Sequence, residues 1–477
     1  MADVLTALDA TFLELEQQNE GALMSIGGVM VFDPLPSGRV PSLEEVCNGI
    51  AARLTQLPRY SQRLSSPRTG GFAWPHWVDA DRFDVRDHVT HVALPAPSGP
   101  GELCEWAGDF YSHPLDRTRP LWEMALVEGL ERGRWALAHK SHECLVDGVG
   151  SVDVARVLLD PEPNPKSVAP AVLPRAKPPG LVRAARAAEP QPLFQAAGAG
   201  ARAAGAAAHF MLHPRDALAR SVSLTELLVR DALIAAPKTS LNVPISSRRR
   251  LAVVDVPLAE LKAIRSALGG SLNDVILAAC TTGLRRLLLE RGEQPPAPGL
   301  RAMVPMNLRD ASERLALGNR VSSLFVELPV AEPAPAARYR HVVASTARLK
   351  RSGAAAAAGA MLDLAALAPP ILHATLVRSV YATHLFNVTI TNVPGPQAPL
   401  YALGARLHEV WPVVPLAAEH AVGVAVFSYD GLVTFGVMAD AASTPDIGLL
   451  AYGIEAGIDE LLALAGATHD DFAPART

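Results

Sequence analysis

Residues 135–152 read WALAHKSHECLVDGVGSV. Trp135 to Ser141 has the composition of a strand, and the chain then enters a turn carried by Asp147-Gly148. Alternate residues of a strand share a face. Trp135, Leu137, His139, Ser141 and Glu143 would then point one way, and Lys140 and His142 the other. Titratable side chains and a hydroxyl gathered at a strand end can make an acid/base site. The same pattern also suits a strand with solvent-facing polar residues and an Asp-Gly turn, and spacing alone leaves both readings open.

Outward from this stretch the chain alternates strand and helix signals. Residues 24–32 (MSIGGVMVF) read as a strand. Ser42 followed by Glu45 is a capping box, with Val46, Ile50, Leu54 and Leu57 at helical spacing behind it and Pro58 ending the run. Leu103, Trp106 and Phe110 suggest another helix. After Asp160 the composition shifts to PEPNPKSVAPAVLPRAKPPG and then to an Ala- and Arg-rich stretch. Residues 161–240 are read as a crossover with helices, which divides the chain into 1–160 and 241–477; the competing reading is a single domain with a large insertion.

In the second part, residues 251–258 (LAVVDVPL) read as a strand. Leu258, Leu261, Ile264 and Leu268 mark a helix stopped by Gly269-Gly270, and Ser271 with Asp274 caps the next, which runs to Gly292. Strand-like runs follow at 302–306, 323–330, 388–391, 422–428 and 433–438, the last two joined by an Asp430-Gly431 hairpin. Thr444-Pro445 opens a final helix with Ile447, Leu450, Ile454 and Ile458 inward. The fold class is α/β with mixed sheets, in two domains.

Composition narrows the function. A chain of 477 residues exceeds what one hydrophobic core usually organises. Apolar residues make up 49% and charged residues 19%, so a large core forms and global disorder is excluded. A net charge of −5 argues against a nucleic-acid partner. Cys47, Cys104, Cys144 and Cys280 form no CxxC pair, which argues against a disulfide framework or a zinc site and for a reducing, cytoplasmic setting. The acidic start MADVLTALDATFLELE does not read as a secretory signal. The Ala-rich stretches 196–208 and 354–372 are interrupted, by Arg202 in one and by Asp363 and Pro369-Pro370 in the other, and neither is expected to span a membrane. Residues 181–202 (LVRAARAAEPQPLFQAAGAGAR) are a candidate contact with an anionic membrane or lipid-droplet surface, against a helix packed between domains.

The decisive segment resembles the HHxxxDG motif of the bacterial wax ester synthase/diacylglycerol acyltransferase family, aligning as His142, Glu143, Cys144, Leu145, Val146, Asp147, Gly148. The wider superfamily of condensation domains and chloramphenicol acetyltransferase shares only HxxxD. Other segments narrow the resemblance: LDATFLELE at 8–16, PLDRTRPLWE at 114–123 with Pro120, Leu121 and Trp122, SLNDVILAA at 271–279 with Asn273 and Asp274, Gly318-Asn319, TNVPGP at 391–396, and SYDG at 428–431. Each also has a plain structural reading: Pro120-Leu121-Trp122 as a turn into a buried strand, Asn273 as a helix cap, 392–396 as a tight loop.

The resemblance implies two chloramphenicol-acetyltransferase-like domains with an interdomain channel. Long-chain acyl-CoA and either diacylglycerol or a long-chain alcohol would meet there, with no cofactor and no metal. It also implies that the motif's second histidine removes the acceptor's proton, while Asp147 orients the loop ahead of Gly148. That histidine is replaced here by Glu143. A free glutamate has a pKa of about 4.3 against about 6.5 for imidazole, and its charge opposes a developing oxyanion, although burial raises a carboxyl's pKa. His142 or His139 is an alternative base; His139 would lie about 7 Å from Glu143 along a strand. The readings left open are an acyltransferase with an altered base, a catalytically impaired homologue that binds acyl-CoA or lipid, and a carrier-protein-dependent condensing acyltransferase.

Overall fold

A computed structural model describes residues 3–5, 7–65, 75–145, 157–163, 235–307, 321–351 and 385–466. Most of the Pro- and Ala-rich crossover lies outside these residues, as do both Ala-rich stretches, residues 181–202, and Asp147, Gly148, Gly318 and Asn319.

The first part builds β1 (Asp3–Val4), α1 (Ala7–Gln18), β2 (Ser25–Phe32), α2 (Leu43–Leu54), β3 (Gln62–Leu64), β4 (His76–Asp79), β5 (Val89–Ser98), α3 (Pro100–Phe110), β6 (Trp122–Leu130) and β7 (Trp135–His142). The capping box read at Ser42 forms: its side chain accepts from the Glu45 N–H, and the Glu45 carboxylate accepts from the Ser42 N–H at 2.8 Å. Strands β1, β4 and β3 make a small sheet.

The second part builds β8 (Arg249–Pro257), α4 (Leu258–Leu268), α5 (Leu272–Glu290), β9 (Leu300–Asn307), β10 (Val321–Leu328), α6 (Pro335–Arg351), β11 (Val388–Pro394), β12 (Tyr401–Ala402), β13 (Ala405–Val413), β14 (Val422–Tyr429), β15 (Leu432–Asp440) and α7 (Ile447–Leu464). Gly269, with φ of 80°, stops α4, and Ser271 with Asp274 caps α5. Asp430 and Gly431 both have positive φ, as a tight hairpin of this twist requires. The inward residues expected of the last helix are all buried.

Two six-stranded mixed sheets result. The second has the order β10-β9-β11-β14-β15-β8; the first has the order β12-β13-β2-β7-β6-β5. The first sheet therefore contains two strands from the far end of the chain. Residues of β13 run antiparallel to β2, from Leu407↔Phe32 to Val413↔Gly27. A cut that assigns all of 241–477 to one domain does not describe 401–413, which complete the sheet of the first. The crossing strand also lies hard against the second sheet: a Cβ on Gly436 of β15 would collide with the Pro412 carbonyl of β13.

The strand β7 is central, and every one of its residues is buried. Its two faces serve different cores. Trp135 and Leu137 pack with Phe32, Tyr60 and Trp122 in a core built mostly by the first part and completed by Ala405, Leu407 and Tyr429 of the second. Ala136 and Ala138 pack with Val29, Ala107 and Tyr111 in a core that continues into Val254, Trp411, Val424 and Phe435 of the second part. The Ala136 face of β7 is thus the one turned toward the other half of the molecule. Helix α3 docks on β8 at this junction, where the Arg249 N–H donates to Ser112 Oγ at 2.7 Å.

Candidate functional site

The strand β7 delivers its polar residues in alternation, as expected up to His142. His139 lies on the Trp135 face, beside Tyr60. Its Nε2 is 2.8 Å from Ser141 Oγ, which is 3.2 Å from the Tyr60 hydroxyl, and its ring stacks on Tyr60. Burial pushes the His139 imidazole down to about 4, so it is neutral near pH 7. Lys140 projects from the other face. Its Nζ donates to the Phe110 and His113 carbonyls at 3.1 and 3.0 Å, lies 3.1 Å from Glu123 and sits over the Phe110 ring. A buried ammonium needs such a full set of partners, and this one ties the end of α3 to β7. Burial lowers its pKa.

His142 closes the strand, and both of its ring nitrogens are committed. Nδ1 accepts the Cys144 N–H at 3.1 Å, which leaves the ring proton on Nε2, 3.1 Å from Glu16 Oε2 of α1. Glu16 also receives Arg117 at 2.6 Å. Burial alone would raise the Glu16 carboxyl; the hydrogen bonds and charges of His142 and Arg117 outweigh it and hold Glu16 at about 2.

The strand ends at His142, and Glu143 opens the turn that follows. Its N–H donates to the Met24 carbonyl at 2.9 Å, and the Leu145 N–H returns to the His142 carbonyl at 2.8 Å. The expectation that Glu143 shares a strand face with His139 is therefore corrected: strand alternation stops one residue short, because the backbone curls back on itself. Glu143 is half-buried, whereas Cys144 beyond it is buried and its thiol is pushed well above the usual range by burial.

Pro120 and Leu121, just ahead of β6, and Trp122, its first residue, join this arrangement. The Leu121 carbonyl accepts the His142 N–H at 3.0 Å, and the buried Trp122 indole donates to the Tyr60 carbonyl at 2.7 Å. They support the strand end by packing and backbone pairing. Asp274 has a local role instead. Its carboxylate accepts from Ser271 at the start of α5 and from Thr346 Oγ1 of α6 at 2.6 Å. The helix cap is Ser271, not Asn273. Sequence reasoning missed Glu16, Arg117 and Tyr60 as partners of the motif; the only trace of the first was an acidic residue within LDATFLELE. Among the described residues, no group of three or more His, Cys, Asp or Glu side chains is placed to hold a metal ion.

The comparisons agree with this architecture. Residues 5–276 match the family described as "Wax ester synthase/diacylglycerol acyltransferase catalytic domain", and 317–462 match the "WS/DGAT C-terminal domain". The chain belongs to the wax ester synthase/diacylglycerol acyltransferase family. A Mycobacterium tuberculosis protein named "Probable diacyglycerol O-acyltransferase tgs1" is 32% identical over 472 residues, covering 97% of this chain and 96% of that one. The corresponding tgs2 protein is 31% identical, covering 97% and 100%. The solved wax ester synthase/diacylglycerol acyltransferase of Marinobacter aquaeolei VT8 superposes with a TM-score of 0.69 at 25% identity, covering 97% of this chain and 100% of that one. The first condensation domain of the CDA synthetase superposes with a TM-score of 0.61 at 16% identity, covering 99% and 98%, a likeness of fold alone. The fold is the mixed α/β, chloramphenicol-acetyltransferase-like pair of domains.

Proposed function

We propose that the protein is an O-acyltransferase that moves a long-chain acyl group from acyl-CoA to diacylglycerol or a long-chain alcohol, giving triacylglycerol or wax ester. The observation that carries this reading is the family match along nearly the whole chain, with the motif segment closing the central strand where the two halves meet. Acyl-CoA enters as substrate, and the transfer needs no cofactor.

Glu143 takes the proton of the acceptor hydroxyl. The placement of the histidines supports this assignment. Both ring nitrogens of His142 are held by the protein, and His139 is buried on the Tyr60 side of the strand, paired with Ser141. The acceptor oxygen attacks the thioester carbonyl, forming the new C–O bond and an oxyanion. Collapse restores the carbonyl and breaks the C–S bond, and the departing CoA thiolate takes the proton held by Glu143. The acceptors are lipids, so the protein works at a membrane or droplet surface as a peripheral visitor. None of the described helices is long and apolar enough to cross a membrane.

A second reading has one observation in its favour. A carboxylate at position 143 suits a homologue that binds acyl-CoA or lipid without turnover. Assay of the purified protein with palmitoyl-CoA and either hexadecanol or dioleoylglycerol separates the two. The proposal expects turnover that falls about 10²–10⁴-fold in Glu143→Gln with acyl-CoA binding intact, and is preserved or raised in Glu143→His. An inactive native protein, or a fully active Glu143→Gln variant, contradicts the assigned base.

A further inference from the structure

The hydroxyl of Ser25 is buried, 4% exposed, yet finds no hydrogen-bond partner among the described residues. An unpaired buried hydroxyl is unfavourable, so its persistence calls for a partner that arrives from outside or for a structural reason. Its position in the fold favours the first. Ser25 opens β2 directly opposite His142, the last residue of β7. Opposite residues of an antiparallel pair project from the same face. Four pairs further along, and so on the same face, Val29 is opposite Ala138, and both belong to the core shared with the second half. Ser25 therefore stands on the side of the sheet turned toward the interdomain seam. The chain leading into it is held there: the Arg249 guanidinium of β8 grips the Gly21 carbonyl, and Ala22 and Met24 pack with Ala418.

The reacting end of the site is one residue away, since the Met24 carbonyl holds the Glu143 N–H. Backbone N–H groups of a turn at a strand end are the usual donors to an oxyanion, but here they are committed. The Glu143 N–H goes to Met24, Cys144 to the His142 ring, and Leu145 to the His142 carbonyl. His142 Nε2–H is held by Glu16. At this end of β7 the Ser25 hydroxyl is the described donor that remains without an acceptor.

We propose that Ser25 is a catalytic residue of the acyl transfer, its O–H donating to the thioester carbonyl oxygen and holding the oxyanion formed there. This rests on the acyltransferase reading. As the acceptor oxygen bonds to the carbonyl carbon, the C=O electron pair moves onto the oxygen facing Ser25. When the C–S bond breaks, the pair returns and the hydrogen bond weakens. Ser25 neither gains nor loses its proton over the cycle; it supplies a neutral donor where Glu143 brings negative charge.

The test compares native protein with Ser25→Ala and Ser25→Thr, using palmitoyl-CoA with hexadecanol or dioleoylglycerol and urea unfolding without substrate. Ser25→Ala is expected to lower kcat about 10²–10³-fold, to leave KM for palmitoyl-CoA within about threefold, and to unfold at the native urea concentration or higher. Ser25→Thr, which keeps the hydroxyl, should retain activity within about tenfold of native. The proposal is overturned if Ser25→Ala keeps kcat within about threefold, if its loss lies in KM, if its unfolding midpoint falls, or if Ser25→Thr is as impaired as Ser25→Ala. An inactive native protein overturns the acyltransferase reading and this inference together. An active native protein with an unaffected Ser25→Ala overturns the inference alone.

Discussion

Replacing Glu16 by Gln tests the arrangement that fixes the end of β7. The change keeps the side chain's shape and removes its charge. The His142 Nε2–H and Arg117 then face an amide in place of a carboxylate. A carboxyl lowered from its ordinary 4.5 to about 2 is stabilised in the folded state by about 3 kcal/mol. The His142 side chain is 1% exposed and Glu16 10%, so that pair is little screened; Arg117 is 33% exposed and its share is reduced by solvent. A loss of roughly 2 kcal/mol near neutral pH is expected.

The pH dependence follows from the direction of the shift. The folded carboxyl binds its proton more weakly than the unfolded one. Its contribution is therefore complete above about pH 4.5 and disappears as the pH falls toward about 2. Urea unfolding of native protein and Glu16→Gln across that range should show a gap in stability that is full near neutrality and narrows below about pH 4. A gap that stays constant with pH, or none at neutral pH, refutes the charge argument. Turnover should fall as well, because the His142 ring that Glu16 holds is the acceptor for the Cys144 N–H in the turn carrying Glu143.

Further outcomes follow from the seam and the surface. Gly436→Ala places a methyl group against the Pro412 carbonyl and should destabilise the protein by about 2 kcal/mol or more, measured as a lower urea midpoint; a native midpoint refutes the close approach. Burial and the neighbouring Asp255 push the Glu409 carboxyl of β13 up to about 7, so the folded form binds that proton more tightly than the unfolded one and stability falls as pH rises from about 4.5 through about 7. Glu409→Gln should match native stability near pH 5 and exceed it near pH 8, and parallel profiles contradict the shift. Peripheral attachment predicts release of the protein from cell membranes by high salt or carbonate, and protein that stays in the pellet after both contradicts it.

How far the sequence reaches depends on whether a feature is written locally. The capping boxes at Ser42 and Ser271, the stop at Gly269 and the Asp430-Gly431 hairpin each occupy a few adjacent residues, and each is found where the pattern puts it. The alternation of β7 is local too, and it holds through His142. What fails is the last step, from His142 to Glu143, because the chain turns there, with the Leu145 N–H closing on the His142 carbonyl, earlier than the Asp147-Gly148 signal suggests. The strand β13 was illegible for a different reason. Its pattern is broken by a bulge between Leu407 and Glu409 and by Pro412, and its partner β2 lies near the other end of the sequence. Which face of β7 meets the second half depends on that crossing, so the face of Ala138 and Ser25 could be assigned to the seam only from the sheet order. The motif names its residues, but their roles depend on distant partners as well as near ones: Glu16 and Cys144 engage the His142 ring, Tyr60 and Ser141 surround His139, and Ser25, which no motif marks, has a buried hydroxyl with no acceptor among the described residues.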